Sequence, residues 1–146
     1  MIGRATGRSW RILGTAFVAT AVALLFRPVC EVAADEAGAQ VKPVLAEKLP
    51  NVPGKSVTAV LVTYPPGGKS GKHHHAGSVL VYVLSGAVRS ETSATGPVRV
   101  YKAGESFFEP PGSEHLVSEN ASTTEAASLL AVFVADDGAQ LTTFDQ

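Results

Sequence analysis

The stretch Gly67–Gly86, GGKSGKHHHAGSVLVYVLSG, decides the fold of this 146-residue chain. It begins with a glycine pair that lets the backbone turn sharply before three consecutive histidines. The apolar run Val79–Leu84 follows, and its β-branched residues and the Ser-Gly turn behind it are typical of a β-strand. Alternate side chains of an extended segment share a face, so His73 and His75 point one way and His74 the other. Two imidazoles on one face form a natural chelating pair for a divalent metal.

Further short strands are predicted on both sides of this stretch, separated by clusters of Gly, Pro, Ser or Asn. They are Ser56–Tyr64, Val98–Tyr101, Ser106–Glu109, His115–Ser118 and Ser128–Val134. Residues 35–56 are interpreted as a leading segment, because prolines there exclude a long helix, and residues 121–127 as a loop. No stretch has a convincing helical apolar period, so about seven short strands predict an all-β sandwich, jelly roll or small barrel.

Glycine, proline and histidine recur at regular intervals in two segments of the chain. The segments are Gly67-x5-His73-x-His75-x3-Val79-x6-Gly86 and Gly104-x5-Pro110-x-Gly112-x2-His115-x4-Asn120. These spacings resemble the two motifs of the cupin superfamily, G-x5-H-x-H-x3,4-E-x6-G and G-x5-P-x-G-x2-H-x3-N. The resemblance implies a small single-domain double-stranded β-helix, the cupin jelly-roll barrel, over about residues 41–135. It also implies a metal site formed by His73, His75 and His115.

The chain departs from the cupin pattern at one ligand position. Val79 stands where the resemblance implies a glutamate, and Leu80 does not supply one at the longer spacing. Strand parity places Val79 and Val81 on the face seen by the histidines, so an apolar wall is expected where the carboxylate would stand. Two alternatives stay open: a three-histidine metal site with open positions for water or substrate, and a barrel that has lost its metal.

The resemblance implies a divalent transition metal, with Fe(II) as the first choice because similar three-histidine cupins are ferrous dioxygenases. Zn, Ni, Mn and Cu are the alternatives, since the ligand set does not choose among them. Three neutral imidazoles leave the full charge of the ion in place, which favours an anionic or chelating small molecule in the barrel cavity. We expect a dioxygenase-like oxidoreductase, or an isomerase or lyase if zinc or nickel is bound. A non-catalytic exported cupin that binds a small metabolite or metal ion, and a structural barrel without metal, are the competing interpretations.

Other residues near the two motifs are candidates for contacts with the ligand. The expected pocket residues are apolar: Val79, Val81, Phe107 and Phe108. The two phenylalanines are adjacent, so one is expected to line the cavity and the other the outer face. Glu109 and Glu114 flank the second motif and are candidates for a general base or for a partner that orients a histidine. The alternative is that both glutamates are ordinary surface carboxylates.

Residues 1–34 are interpreted as a secretory signal peptide and residues 35–146 as the single cupin domain. Three arginines precede the uncharged run Ile12–Phe26, whose 15 residues rise about 22 Å as a helix, short of the roughly 30 Å hydrocarbon core. Small side chains precede Asp35 at the positions that signal cleavage requires. We therefore expect a periplasmic or secreted protein with no membrane contact after cleavage, and an N-terminally anchored protein is the alternative.

Composition excludes several classes of partner and site. The chain carries 12 Lys and Arg against 13 Asp and Glu, which leaves no electrostatic footprint for nucleic acid. Cys30 is the single cysteine, so neither an internal disulfide framework nor a multi-cysteine metal site exists. The length supports one domain. Apolar residues expected on the outer face, such as Leu80 and Tyr82, favour a homodimer.

Overall fold

The structure is a computed structural model that describes residues 38–145, and the predicted signal peptide lies outside the described residues. The described part of the chain contains ten strands and no helix. The strands are β1 Gln40–Lys48, β2 Lys55–Tyr64, β3 His73–His75, β4 Ser78–Ser85, β5 Ala87–Thr92, β6 Gly96–Lys102, β7 Ser106–Glu109, β8 Glu114–Asn120, β9 Ala127–Asp136 and β10 Thr142–Phe144. A helix long and apolar enough to span a bilayer is therefore not found among these residues.

The strands form two five-stranded antiparallel sheets. The first, sheet A, has the order β1-β2-β9-β4-β7, and the second, sheet B, has the order β10-β3-β8-β5-β6. β1–β2 and β5–β6 are consecutive in the chain, but the other neighbours are separated in sequence, as in the pairing of β4 with β9 and of β3 with β8. The all-β jelly-roll architecture predicted from the sequence is confirmed.

The core lies on the inner face of sheet A, where period-two alternation buries every second residue. Val79, Val81 and Val83 on β4 are at most 2% exposed, and Leu129 and Phe133 on β9 are 5% exposed. Complete burial of a valine or phenylalanine side chain contributes about 1.5–3 kcal/mol relative to exposure, so this alternation also fixes the register of β4. The site residues are held by this strand and by those paired with it.

The outer face of sheet A remains apolar. Leu80 and Phe108 are cross-strand partners and each is 50% exposed, while Tyr82 on the same face is 45% exposed. The odd and even residues of β4 thus divide between a dry core and an uncovered apolar surface, in agreement with the predicted outward placement of Tyr82.

Three strands were not predicted from the sequence. The leading segment contains β1, which pairs with β2 from Gln40 to Lys48 and is irregular between Pro43 and Leu45. Because β1 is the edge strand of sheet A, proline is tolerated there without loss of an inner ladder bond. β5 was overlooked between two turns, and β10 was overlooked because three residues form too short a pattern to read.

The turn before β8 connects the two predicted motifs directly. Gly112 has a φ of +71°, which a glycine adopts at low cost, and its N–H donates to the carbonyl of His75 at 2.8 Å. The stiff Pro110-containing turn is therefore attached by its backbone to the histidine strand. This bond sets where His115 enters β8 relative to β3.

Candidate metal site

Three of the four histidines meet inside the barrel. His73, His75 and His115 are 6%, 7% and 4% exposed, and His73 lies directly opposite His115 in the β3–β8 register. The ring centroids of His73 lie 4.8 Å from His75 and 4.9 Å from His115. One ligand nitrogen from each of the three lies within 4.8 Å of the others. His74 points outward, with 41% of its side chain exposed, as strand parity predicts.

Backbone carbonyls orient two of these rings. Nδ1–H of His73 donates to the carbonyl of Gly71 at 2.7 Å, and Nδ1–H of His75 donates to the carbonyl of Leu141 at 3.0 Å. The hydroxyl of Thr142 lies 3.1 Å from the same nitrogen of His75. A carbonyl only accepts, so Nδ1 carries the proton in both rings and Nε2 presents its lone pair to the interior.

The third ring is oriented by a buried side chain. Oγ of Ser90 lies 2.9 Å from Nε2 of His115, and both residues are buried. The Nδ1 atom of His115 is then the one that faces the other two histidines, and it has no hydrogen-bond partner among the described residues. Partners of this kind hold ligand rings in position in metal sites.

A carboxylate completes the cluster from the opposite sheet. Glu109 at the end of β7 is 2% exposed, and its Oε2 atom lies 3.2 Å from Nδ1 of His115 and 3.6 Å from Nε2 of His75. The closer pair lacks the alignment of a hydrogen bond, and Oε2 has no hydrogen-bond partner in residues 38–145. In the β4–β7 register Glu109 lies directly opposite Val79, the position at which the cupin motif has its glutamate.

Burial and mutual repulsion favour the neutral forms of His73 and His75. Burial lowers the pKa of His73 to about 4, and the neighbouring His115 and His75 lower it further, against the opposing effects of Gly71 and Glu109. Burial also lowers the pKa of His75. For Glu109 burial raises the pKa, but the adjacent histidines, His115 above all, outweigh it and the net direction is downward. A neutral imidazole and an ionised carboxylate are the protonation states that a divalent cation requires of its ligands.

The sheet A side of the site is otherwise apolar. Val79 is 1% exposed, and the ring of Phe133 lies 5.1 Å from that of His75. Phe107 is half-buried, 6.4 Å from the ring of His115, and packs on Tyr101. These side chains exclude water from the donor atoms.

Two predicted site residues do not reach the cluster. Phe108 is the outward member of the phenylalanine pair and is half exposed opposite Leu80. Its assignment to the pocket is therefore wrong, and only Phe107 of this pair faces inward. Val81 stays on the inner face, one alternate position beyond Val79. Glu114 is exposed and pairs in register with His74, so it lies on the outside of sheet B and takes no part in the cluster.

A shallow surface depression of about 320 Å³ lies elsewhere. It is lined by residues 69–72 of the loop before β3 and residues 116–119 of β8, and no histidine contributes to its wall. Its size does not make it the functional site, because the titratable and metal-ligating groups converge inside the barrel instead.

The donor set fits a divalent transition metal. The three histidines form a group that could hold a metal ion, and the carboxylate of Glu109 lies beside two of them. Nδ1 of His115 and Oε2 of Glu109 are buried polar atoms without a hydrogen-bond partner in residues 38–145, and a divalent cation would satisfy both.

A barrel of two antiparallel sheets with a buried histidine cluster is a double-stranded β-helix with a candidate metal centre. The profile of the family described as "Cupin domain" matches residues 60–133, half of the chain. This protein therefore belongs to the cupin domain family, and the resemblance seen in the two motifs is confirmed.

Solved structures of the same fold are similar at low identity. A cupin-like protein from Thermotoga maritima has a TM-score of 0.57 and 19% identity, over 73% of this chain and 75% of that one. An uncharacterized conserved protein with a double-stranded β-helix domain from Klebsiella pneumoniae has a TM-score of 0.59 and 22% identity, over 79% of this chain and 90% of that one.

A recombinant oxalate oxidase in complex with glycolate has a TM-score of 0.57 and 22% identity, over 75% of this chain. This chain spans only 56% of the length of that enzyme. Among curated proteins, no significant match is found. At these identities the structural comparisons establish the fold and leave the activity to be argued from the site.

Ser90 was not found from the sequence: it lies in a strand that was not predicted, and nothing in its neighbourhood distinguishes it. Glu109 was one of two glutamates expected as a general base or as a partner that orients a histidine, and its burial beside His115 and His75 excludes an ordinary surface carboxylate. It is two residues after Phe107, so the two side chains share the inner face.

Proposed function

We propose that this protein holds a divalent transition metal on His73, His75 and His115 and acts on a small molecule in the barrel. The observation that carries the proposal is the convergence of three buried imidazoles whose other nitrogens are held by Gly71, Leu141 or Ser90. Rings held in this way have little rotational freedom left to lose when an ion binds, so the site is organised before binding.

A dioxygenase-like oxidation is the reaction that this site supports best. When bound, ferrous iron would supply the one-electron chemistry that reactions with dioxygen need. The chain contributes neutral nitrogen donors, a carboxylate at Glu109, and an apolar wall of Val79 and Phe133 that keeps bulk water away. The substrate class is a small chelating anion, because a divalent centre with open positions favours two oxygen or sulfur donors.

Metal content of the purified protein tests the first part of this proposal. We expect about one equivalent of iron or another first-row metal per chain by elemental mass spectrometry, and its loss in His75→Ala. The control is His74→Ala, which removes an exposed histidine from the same strand and should keep the metal. Absence of metal from both the native protein and protein loaded in vitro would overturn the proposal.

Oxygen uptake tests the second part. The iron-loaded protein is mixed with β-diketones, thiols and phenols, and consumption that depends on one of these classes is expected, with His75→Ala inactive. The protein could instead hold stoichiometric metal, keep it in the presence of each compound and consume no oxygen. That result would contradict the oxidoreductase and favour the alternative, a non-catalytic exported cupin that binds a small metabolite or metal ion.

We also propose export and self-association. The N-terminal features described above support cleavage before Asp35, and mass spectrometry of the protein from its native host should give a chain that begins there; an intact N-terminus would favour the membrane-anchored alternative.

The exposed Leu80, Tyr82 and Phe108 support a homodimer through the outer face of sheet A. Light scattering should give twice the chain mass for the wild type and the monomer mass for Tyr82→Lys; a monomeric wild type would refute the dimer.

A further inference from the structure

The missing motif glutamate has a counterpart on the neighbouring strand. Val79 of β4 and Glu109 of β7 are direct cross-strand partners, both on the inner face of sheet A and both at most 2% exposed. Directly opposite residues of an antiparallel pair have Cβ atoms about 4.5–5.5 Å apart. A glutamate at either position therefore carries its carboxylate to nearly the same place, since its side chain spans most of that separation.

The distances around Glu109 match those between ligands of one ion. Two donor atoms that each lie about 2.0–2.2 Å from a metal, at about 90–110° to one another, are about 2.8–3.6 Å apart. Oε2 of Glu109 lies 3.2 Å from Nδ1 of His115 and 3.6 Å from Nε2 of His75. Both separations fall in this range, whereas the pair with His115 is not aligned as a hydrogen bond.

A divalent cation would satisfy both unpartnered atoms at once. Nδ1 of His115 and Oε2 of Glu109 are the two buried side-chain atoms without a hydrogen bond in the described part of the chain. They lie 3.2 Å apart at the edge of the histidine cluster, in residues that are at most 4% exposed. Leaving such atoms unsatisfied costs about 1–3 kcal/mol each, and a shared divalent ion removes that cost.

We propose that Glu109 is the fourth protein ligand of the metal, moved one strand sideways from the motif position now occupied by Val79. This inference rests on the proposed function, because it assumes that the three histidines bind an ion. A carboxylate ligand reduces the net charge of a divalent centre by one unit and adds an oxygen donor to three nitrogens. The site then favours neutral or singly charged chelating substrates over multiply charged anions.

Zinc affinity, measured by competition with a chromophoric chelator, tests the relocation in the intact purified protein. Glu109→Gln keeps the shape but removes the charge, and we expect zinc to bind at least about 100-fold more weakly, beyond the loss typical of an outer partner. The double variant Val79→Glu/Glu109→Val returns the carboxylate to the motif position and should recover affinity to within about 10-fold of the wild type. Glu114→Gln, an exposed glutamate five residues away, is the matched control.

The outcomes separate this inference from the proposed function. If His75→Ala abolishes binding while Glu109→Gln binds zinc as the wild type does, the three-histidine site stands and the fourth ligand is refuted. If the wild type binds no zinc, both fail together.

A crystal structure of the zinc-loaded wild type gives an answer that does not depend on how the variants fold. A carboxylate oxygen of Glu109 is expected about 2.0–2.2 Å from the ion. An ion held only by histidines and water, with Glu109 beyond about 3 Å, would overturn the inference.

Discussion

The two sides of the candidate site are built on different principles. On the sheet B side each histidine has its second nitrogen held by a carbonyl or hydroxyl, at distances of 2.7 to 3.0 Å. On the sheet A side Glu109 is as deeply buried as any histidine but Oε2 has no hydrogen bond within residues 38–145. The fold therefore fixes the orientation of each ring through its outward nitrogen, whereas it provides no such hydrogen bond for Oε2 of Glu109.

The largest expected effect is the loss of folding stability at low pH that the buried His73 causes. His73 has a folded pKa of about 4 against 6.5 when exposed, so the unfolded chain takes up the proton first as pH falls. The metal-free protein should therefore lose about 3 kcal/mol of stability between about pH 7 and pH 4, with the loss beginning near the unfolded pKa. Below that range the lowered pKa of Glu109 adds a further loss of the same sign.

Urea unfolding in the presence of a chelator, repeated across this pH range, measures the effect. His73→Gln should show a flatter profile than the wild type, whereas His74→Gln, which changes an exposed ring, should follow the wild type. Stability that does not change as the pH falls would show that the buried rings accept protons without cost.

The carboxylate side should respond in the opposite way. Oε2 of Glu109 is buried and makes no hydrogen bond within residues 38–145, so at about pH 8 Glu109→Leu should stabilise the metal-free protein by about 1–3 kcal/mol. The same substitution should remove most of the stabilisation that added zinc gives. Thermal unfolding with and without zinc tests both signs, with Glu114→Leu as the exposed control. A destabilised metal-free Glu109→Leu would mean that the carboxylate contributes to the fold on its own.

Removal of the hydrogen bond that orients His115 would leave a ring nitrogen unpaired, as Oε2 of Glu109 already is. Ser90→Ala deletes the hydroxyl 2.9 Å from Nε2 of His115, and zinc should bind about 10-fold more weakly. The metal-free protein should also lose about 1 kcal/mol, because a buried ring nitrogen is left unpaired. Ser85→Ala removes a hydroxyl paired on the exposed side of sheet A and serves as the control in both assays. Equal zinc affinity in the two variants would show that packing alone orients His115.

The smallest effect is expected where a ring has two partners. Thr142→Val removes the hydroxyl 3.1 Å from Nδ1 of His75, but the carbonyl of Leu141 remains at 3.0 Å. Zinc affinity should fall by about 3-fold, below the usual range for a lost outer partner. A loss as large as that of Ser90→Ala would assign the orientation of His75 to the hydroxyl.

Most of the fold and the three histidines of the cluster were predictable from the sequence. Turn residues and alternating apolar residues are local signals, so β4 and β9 and the inward pair His73 and His75 follow directly from them. The strands that were missed carry weak local signals: β1 is an edge strand with a proline, and β10 has three residues. Their structure depends on pairing with partners elsewhere in the chain, which no local pattern records.

Glu109 was a candidate from the sequence, but its place opposite Val79 could not be predicted, for a different physical reason. The motif comparison asks which residue stands at position 79, whereas the site depends on which carboxylate reaches a point in space. The register between β4 and β7 determines which carboxylate reaches that point. This register places Glu109 opposite Val79, and it forms only when the two strands pair in the folded protein. A residue lost from one strand is replaceable from the adjacent strand without any trace in the spacing of the motif.

The histidine strand β3 has one further dependence, on the order of synthesis. β10 covers the free edge of β3, residue opposite residue from Thr142 to Phe144, and Leu141 just before it supplies the carbonyl that sets the tautomer of His75. Translation makes β10 after every other described strand, and strands that must meet across long separations in sequence pair late. The centre therefore matures only when residues beyond 140 have docked. Before that point the ring of His75 lacks the carbonyl of Leu141 and the hydroxyl of Thr142, so only His73 and His115 have the contacts that orient them.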